Sequence, residues 1–399
     1  MRKIAIIGGG PAGFMSAIVC KNLYPEFDIT IFDSAKPLSK LLLTGGGRCN
    51  ISNAIFDFKD LAKNYPRGEK FLYSIFSRFD VSDLFSFFEK AGVDLYIQED
   101  NRIFPKTNDA KTIRGALLSL AQQKNIQIKP NFQIVSIKKI PEHNKFFLNE
   151  TLQFDNIIIA TGNTPKGLAI AEKLGHTIIP IEPTLCGMQI ETPYPNLAGI
   201  STQIATAHAQ SKEFSGDILF THKGISGPMI MDISSVLAYE KLPLELELNF
   251  TGLNSKEQDK ELLELLDKSP KKNIANLLNK YLPISVIEEF LKEIDLKPDK
   301  KACEISKEKR AKIVKFLTKK RLILTKKEPN FMVKAGGIKL DEVDKNLESK
   351  IVKGLYFAGE ILDIDGLCGG FNLQACFSTG FVAGHLGKKP QKGDKNAKS

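Results

Sequence analysis

Apolar positions fall in short unbroken runs at both ends of the chain and in strict alternation or helical spacing in its middle. Ile4, Ala5, Ile6 and Ile7 form a run too short for a helix and read as a fully buried strand. Helical spacing follows over 11–23, and Asp28-Ile29-Thr30-Ile31-Phe32 reads as a second strand. Residues 59–124 are mostly helical in pattern, with Leu84, Phe85, Phe87 and Phe88 on one face and a further helix over 110–123; the aromatics of 71–88 read as core. Strand-like pieces are expected at 126–128 and 132–137, a meander pair at 146–148 and 152–154, and a buried strand at 155–160. After Pro183 the alternation becomes that of antiparallel strands, over 187–192, 202–210 and 242–250. From 255 to 317 it is helical and rich in lysine, with Leu262, Leu266, Ile274, Leu278, Val286 and Phe290 at core spacing. A last buried strand precedes Gly359, and a helix is expected over 373–386.

This order predicts an α/β fold, interrupted by a β-rich insert that carries a small helical insert of its own, after which the chain returns to a buried strand and a helix. The expected boundaries are 1–186 and 335–387 for the α/β domain. They are 187–254 with 318–334 for the β-rich part, 255–317 for the helical part, and 388–399 for a disordered basic tail.

The first turn carries the chemistry. Gly8-x-Gly10-x-x-Gly13 lies between a strand and a helix, with Asp33 ending the next strand 20 residues after Gly13. In a dinucleotide site the first glycine makes the turn, the second lets the backbone approach a pyrophosphate, and the third lets helix and strand pack closely. The helix start offers free N–H groups to the phosphates, and Asp33 can accept from ribose hydroxyls. An adenine dinucleotide is the expected ligand.

A second glycine run, Thr44-Gly45-Gly46-Gly47-Arg48-Cys49-Asn50, suggests another close approach of backbone to an extended ligand. Arg48 and Asn50 bring fixed donors. Cys49 lacks a second cysteine nearby, so a packing role is favoured over redox exchange. Thr161-Gly162 and Gly359-Glu360 each end a buried strand, and Gly369-Gly370-Phe371-Asn372-Leu373 opens the last helix. That helix start is a second anion-stabilising point, suited to the N1–C2=O edge of a flavin. Glu360 can accept from a ribityl chain and Asn372 can bond a ring oxygen through its amide.

Composition adds limits. The six cysteines form no CxxC pair, which argues against a zinc site or disulfide scaffold and for a reducing cytoplasm. No apolar run approaches the roughly 20 residues of a membrane-spanning helix, and no signal pattern opens the chain. The net charge is +10, concentrated in 254–330 and in the tail. A lysine-rich solvated surface is the preferred reading of that charge, and a nucleic acid is the alternative partner.

Four motifs together resemble the YhiN/BaiN-like family of bacterial FAD-dependent oxidoreductases: K-L-L-L-T-G-G-G-R-C-N at 40–50, I-L-F-T-H-K-G-I-S-G-P at 218–228, A-G-G-I at 335–338, and G-L-Y-F-A-G-E-I-L-D-I-D-G-L-C-G-G-F-N-L-Q at 354–374. The resemblance implies a glutathione-reductase-like FAD-binding Rossmann domain with an inserted β-barrel-like subdomain and a small helical subdomain. It carries Gly8, Gly10, Gly13, Asp33, Arg48, Asn50, Gly359, Glu360 and Asn372 over as FAD contacts, with Asp33 standing where glutamate is common. Pro11, Ala12, Lys40, Thr44, Gly45, Gly46, Gly47, Val135, Thr161, Gly162, Gly370, Phe371 and Leu373 complete the expected cofactor-binding set. One type of member reduces enone steroids. The expected activity is hydride transfer through flavin N5 to or from a small molecule, with NAD(P)H as a candidate donor that lacks a glycine-rich domain of its own. The alternative is an FAD-dependent tRNA-modifying flavoprotein. The catalytic residues stay unassigned, with His222 and Lys223 as candidates.

Overall fold

The computed structural model describes residues 1–140 and 145–388; the expected tail thus lies almost wholly outside the described residues. The chain divides into two compact units, Met1–Glu182 with Val333 onward, and Pro183–Met332.

The first unit opens with β1 (Lys3–Ile7), α1 (Pro11–Leu23) and β2 (Asp28–Phe32). A 3-10 turn over Lys40–Gly47 and the short β3 (Ser52–Asn53) lead to α2 (Phe58–Ala62), α3 (Glu69–Phe76) and α4 (Val81–Lys90). Next come β4 (Leu95–Ile97), β5 (Arg102–Pro105), α5 (Ala110–Gln123), β6 (Gln127–Lys129), β7 (Ile137–Ile140), β8 (Lys145–Leu148), β9 (Leu152–Phe154), β10 (Asn156–Ile159) and α6 (Pro165–Lys173). The long β11 (Ile178–Ile190) carries the chain into the second unit.

There the order is β12 (Ser201–Ala209), β13 (Lys212–Phe220), β14 (Gly224–Ser226), α7 (Pro228–Val236), β15 (Leu244–Asn249), α8 (Ser255–Lys268), α9 (Ile274–Leu278), α10 (Ile284–Glu293) and α11 (Lys307–Thr318). β16 (Lys320–Ile338) returns to the first unit, which ends with β17 (Leu355–Phe357) and α12 (Phe371–Gly384).

The central sheet has the order β17-β10-β1-β2-β6, and every pairing in it is parallel. Ile4, Ala5 and Ile6 of β1, Ile157 to Ile159 of β10 and Phe357 of β17 are all fully buried. A parallel strand is covered on both faces, which is why these segments read as unbroken apolar runs. Because the strands run the same way, Gly8, Asp33, Thr161-Gly162 and Gly359-Glu360 all follow strand ends on one edge of the sheet. In such sheets that edge is where ligands bind.

Two local expectations are corrected. Residues 132–136 form no strand: Phe132 N donates to Asp33 O and Val135 N to Asn149 Oδ1, so their N–H groups are spent on loop partners. Within the span expected to be helical, β4 and β5 join β3 in a small sheet of order β3-β5-β4.

The second unit is a closed barrel of order β11-β14-β13-β12-β15-β16. The helices over 255–317 are not a separate body. Leu262, Leu266, Ile274, Val286, Phe290 and Ile313 share one core with Ile204, Ile218 and Leu246 of the barrel. Their apolar faces supply what the short helices could not bury alone. Among the described residues no helix is long and apolar enough to cross a membrane.

Candidate functional site

The glycine turn after β1 works by contact. A methyl group at Gly8 would come 2.2 Å from Ala160 O, and one at Gly13 would come 2.0 Å from Gly8 O. A methyl at Gly10, by contrast, would meet no protein atom within 4 Å. Two of the three glycines therefore serve the protein's own packing, and the third borders open space. Gly10 is the N-cap of α1, with no side chain capping the helix and no acid in its first turn. Its leading N–H groups are thus left to an external acceptor. Asp33 accepts from Gly9 N and Ala35 N, both at 2.8 Å, which fixes the carboxylate beside the turn. Each oxygen keeps a lone pair for a hydroxyl.

α12 is the second such helix start. It begins at Phe371, two residues earlier than the pattern implied, with Gly370 as its N-cap at φ +95°. A left-handed backbone there suits glycine alone among ordinary residues, and a methyl would lie 2.4 Å from Ser52 O. No side chain caps this helix either. The two helices pack side by side in the same direction: methyls at Gly380 and Gly384 would lie 2.5 Å from Ala12 O and 2.7 Å from Ser16 O. Ala12 is at the start of α1, whereas Gly380 is well inside α12, so α12 reaches about 12 Å beyond α1 at 1.5 Å per residue. Pro11 and Ala12 open α1, and Ala12 also sits against Gly359, whose methyl would be 2.9 Å from Ala12 Cβ.

The Lys40–Gly47 turn is broken at Thr44, Gly45 and Gly46. Arg48 lies over the Phe104 ring at 4.2 Å and donates to Gln98 Oε1 at 3.2 Å, which orients its guanidinium. Burial pushes the Cys49 thiol up to about 12, so it is no thiolate at neutral pH. Glu360 has its carboxyl pushed up by burial and pulled back by Lys40 and Lys334. Gly162 lies beside it, since a methyl there would be 3.5 Å from Glu360 Oε2. Thr161 Oγ1 bonds Gly162 O at 3.2 Å. Phe371 is buried, and its carbonyl accepts from Tyr65 Oη at 2.6 Å. Leu373 follows it within the first turn of α12. Asn372 uses its amide on Gly366, accepting from its N and donating to its O, both at 2.9 Å. Its first duty is thus to hold the preceding loop rather than to reach a ring oxygen. Val135 is 59% exposed, in the loop after β6. His222 and Lys223 are exposed on the β13–β14 turn of the barrel unit.

Among the described residues five side-chain oxygens are buried without a hydrogen-bond partner, and three of them belong to the first unit: Asn50 Oδ1, Asn163 Oδ1 and Asp363 Oδ1. Asn50 Oδ1 is beside Gly370, where a methyl would be 2.7 Å away. Asn163 donates from Nδ2 to Lys334 O and Gly336 O, so only its acceptor is idle. The Asp363 carboxyl is raised by burial, against the pull of Arg67. Orphaned acceptors call for N–H or O–H donors, and ribityl hydroxyls and a flavin N3–H are such donors. Uncapped helix starts, an open face at Gly10 and idle acceptors together fit FAD. Asn163 and Asp363 were missed by sequence reasoning, because nothing in their spacing marks an unfilled acceptor.

The chain resembles known proteins over almost its whole length. Residues 2–386 match the family described as HI0933-like protein Rossmann domain. A 3-dehydro-bile acid delta(4,6)-reductase of Clostridium scindens is 26% identical, over 96% of this chain and 98% of that one. A ribosomal RNA dihydrouridine synthase of Haemophilus influenzae is 28% identical, over 94% of this chain and 96% of that one. Among solved structures, 3-ketosteroid delta1-dehydrogenase from Sterolibacterium denitrificans shares the fold at a TM-score of 0.52 and 12% identity, covering 97% of this chain and 99% of that one. An open flavocytochrome c3 fumarate reductase has a TM-score of 0.52 at 12% identity, over 96% of this chain and 78% of that one. The chain belongs to the HI0933-like Rossmann family and is by class an FAD-dependent oxidoreductase.

Proposed function

We propose that the chain adds a hydride and a proton across a carbon–carbon double bond activated by a carbonyl group, in a substrate still to be identified. The observation that carries the cofactor placement is the pair of uncapped helix starts, on helices packed side by side in the same direction and offset by about 12 Å. Gly8, Gly10, Pro11, Ala12 and Gly13 face the pyrophosphate, with Asp33 on the ribose and Val135 toward the adenosine end. Thr161, Gly162, Gly359 and Glu360 line the ribityl chain, joined by Asn163 and Asp363 as acceptors. Lys40, Thr44 to Gly47, Arg48 and Asn50 bracket the ring with Gly370 to Leu373. Bound FAD supplies hydride exchange at N5. The α12 N-terminus stabilises negative charge at the ring edge without reorganising. His222 and Lys223 are the substrate-facing candidates, and NAD(P)H is the proposed donor.

The choice of reaction rests on what two relatives' names share. A delta(4,6)-reductase acting on a 3-dehydro-bile acid and a synthase of dihydrouridine both saturate a carbonyl-activated double bond. A small enone is the first reading. The second is a uracil ring within RNA, favoured by relatives named as ribosomal RNA dihydrouridine synthases and by the +10 charge. The test is anaerobic: the flavin is reduced with NADH or NADPH, then mixed with a 3-oxo-4-ene steroid or with unmodified ribosomal RNA. Reoxidation by one of them, with the saturated product, is expected. A reduced flavin that neither reoxidises would refute the reading.

A further inference from the structure

The helical part of the barrel unit carries a continuous groove with no role so far. One stretch, about 280 Å³, runs between α8 and α11 and is lined by Ser255, Asp259, Lys307, Arg310, Lys315 and Lys319 among others. A second, about 470 Å³, adjoins it through Ser255 and Lys319 and extends past Lys256 and Thr318 to His208, Glu247 and Asn249 on the barrel. Along α11 alone, Lys307 to Lys319 span about 18 Å.

The charge in this groove is one-sided. Its two acids are already engaged: Asp259 takes Arg310 at 2.7 Å, and Glu247 takes Arg321 at 3.2 Å. Lys256, Lys307, Lys315 and Lys319 have no ion pair among the described residues, and all four are exposed. Elsewhere on the same helices lysines are paired, as in Lys312 with Glu308 on α11 and Lys268 with Glu264 on α8. The Asn254 amide, whose Oδ1 caps α8 by accepting from Lys256 N and Glu257 N, keeps its Nδ2 donors among the lysines. Such a donor can bond phosphate and sugar oxygens. A concave track of unpaired cations matches a polynucleotide backbone, whereas a bilayer surface is met by a flat or convex face.

We propose that this groove is a docking track for the phosphate backbone of RNA, with Lys256, Lys307, Lys315 and Lys319 as its phosphate contacts. The proposal rests on the second reading above, an RNA-borne uracil as substrate. It assigns no sequence readout to the groove.

The test uses the FAD-loaded full chain and in vitro transcribed ribosomal RNA, with filter binding across a salt series. Lys315→Gln/Lys319→Gln should weaken binding about tenfold and reduce the salt slope by about two, one per lost phosphate contact. Lys271→Gln/Lys272→Gln, two lysines of the same insert outside the groove, should bind as the unsubstituted chain does. Flavin absorbance and reduction by NAD(P)H should be unchanged in both variants. Normal RNA binding by the groove variant, or equal loss in the control, would overturn the assignment while leaving the RNA reading intact if reduced flavin still saturates uracil in that RNA. No RNA binding by the unsubstituted chain would overturn both. Groove-dependent binding to phosphatidylserine vesicles with none to RNA would overturn the RNA track in favour of a lipid surface.

Discussion

Gly10 and Gly13 stand three residues apart and carry opposite constraints. A side chain at Gly13 strikes the protein itself, 2.0 Å from Gly8 O, while one at Gly10 enters space that no protein atom fills. Gly10→Val should therefore leave a folded, soluble chain with normal circular dichroism and no retained FAD. Gly13→Val should lose about 3 kcal/mol of stability in urea unfolding, whether or not cofactor is added. Stoichiometric FAD in purified Gly10→Val would contradict the placement of the pyrophosphate. Their spacing alone assigns Gly10 to the ligand and Gly13 to packing, whereas the contacts behind that division, Ala160 against Gly8 and empty volume at Gly10, are not written in the spacing. His176 shows the same limit. Its Nε2 meets Ser349 Oγ at 2.9 Å and its Nδ1 lies 3.3 Å from Glu342 Oε2, across 173 and 166 positions of sequence. The series serine, histidine, acid is not a nucleophilic triad, because Ser349 Oγ already accepts from Ile351 N and Val352 N and the imidazole is 2% exposed. Burial holds the His176 pKa below its ordinary value, against the pull of Glu342. The unfolded chain then takes up that proton more readily than the folded one, so stability should fall as pH drops through about 6.5 and below. His176→Gln should flatten that slope in denaturation midpoints measured between pH 7 and 5.

Elements differ in how local their causes are. β1, α1 and β2 begin and end where the apolar pattern placed them, because a buried parallel strand and a proline-led helix are written in adjacent residues. The loop before α12 has no such local cause. Its shape comes from Asn64 to Gly68, three hundred residues away in sequence. Leu367 N donates to Asn64 O at 2.9 Å, Tyr65 Oη to Phe371 O, and Arg67 grips Asp365 through both carboxylate oxygens. The Asp365 side chain is wholly buried and that of Arg67 nearly so. Removing one partner leaves a buried charge uncompensated, so Arg67→Ala should cost about 3–5 kcal/mol in urea unfolding. The same variant should bind FAD more weakly, since the helix start loses its support. Unaltered stability would mean that the pair is dispensable.

The molecule as a whole consists of two units, each with its own core. Sequence pattern foresaw an inserted β-rich segment, but barrel closure depends on the pairing of strands far apart in the chain, such as β15 with β16. On the proposed placement FAD binds the native first unit and not its unfolded chain, so at a hundredfold excess over Kd it should stabilise that unit by about 2.7 kcal/mol. Thermal scans with and without FAD should show that shift in the first unit's transition. A cofactor-independent melting profile would refute the site. The proposed flavin cradle draws Gly10 from before the barrel unit and Gly370 from after it, with every residue of the barrel unit translated in between. On that placement a ribosome making this protein exposes half of the cradle for most of the synthesis. Cofactor capture becomes a terminal event, and a nascent chain stalled before α12 should emerge colourless.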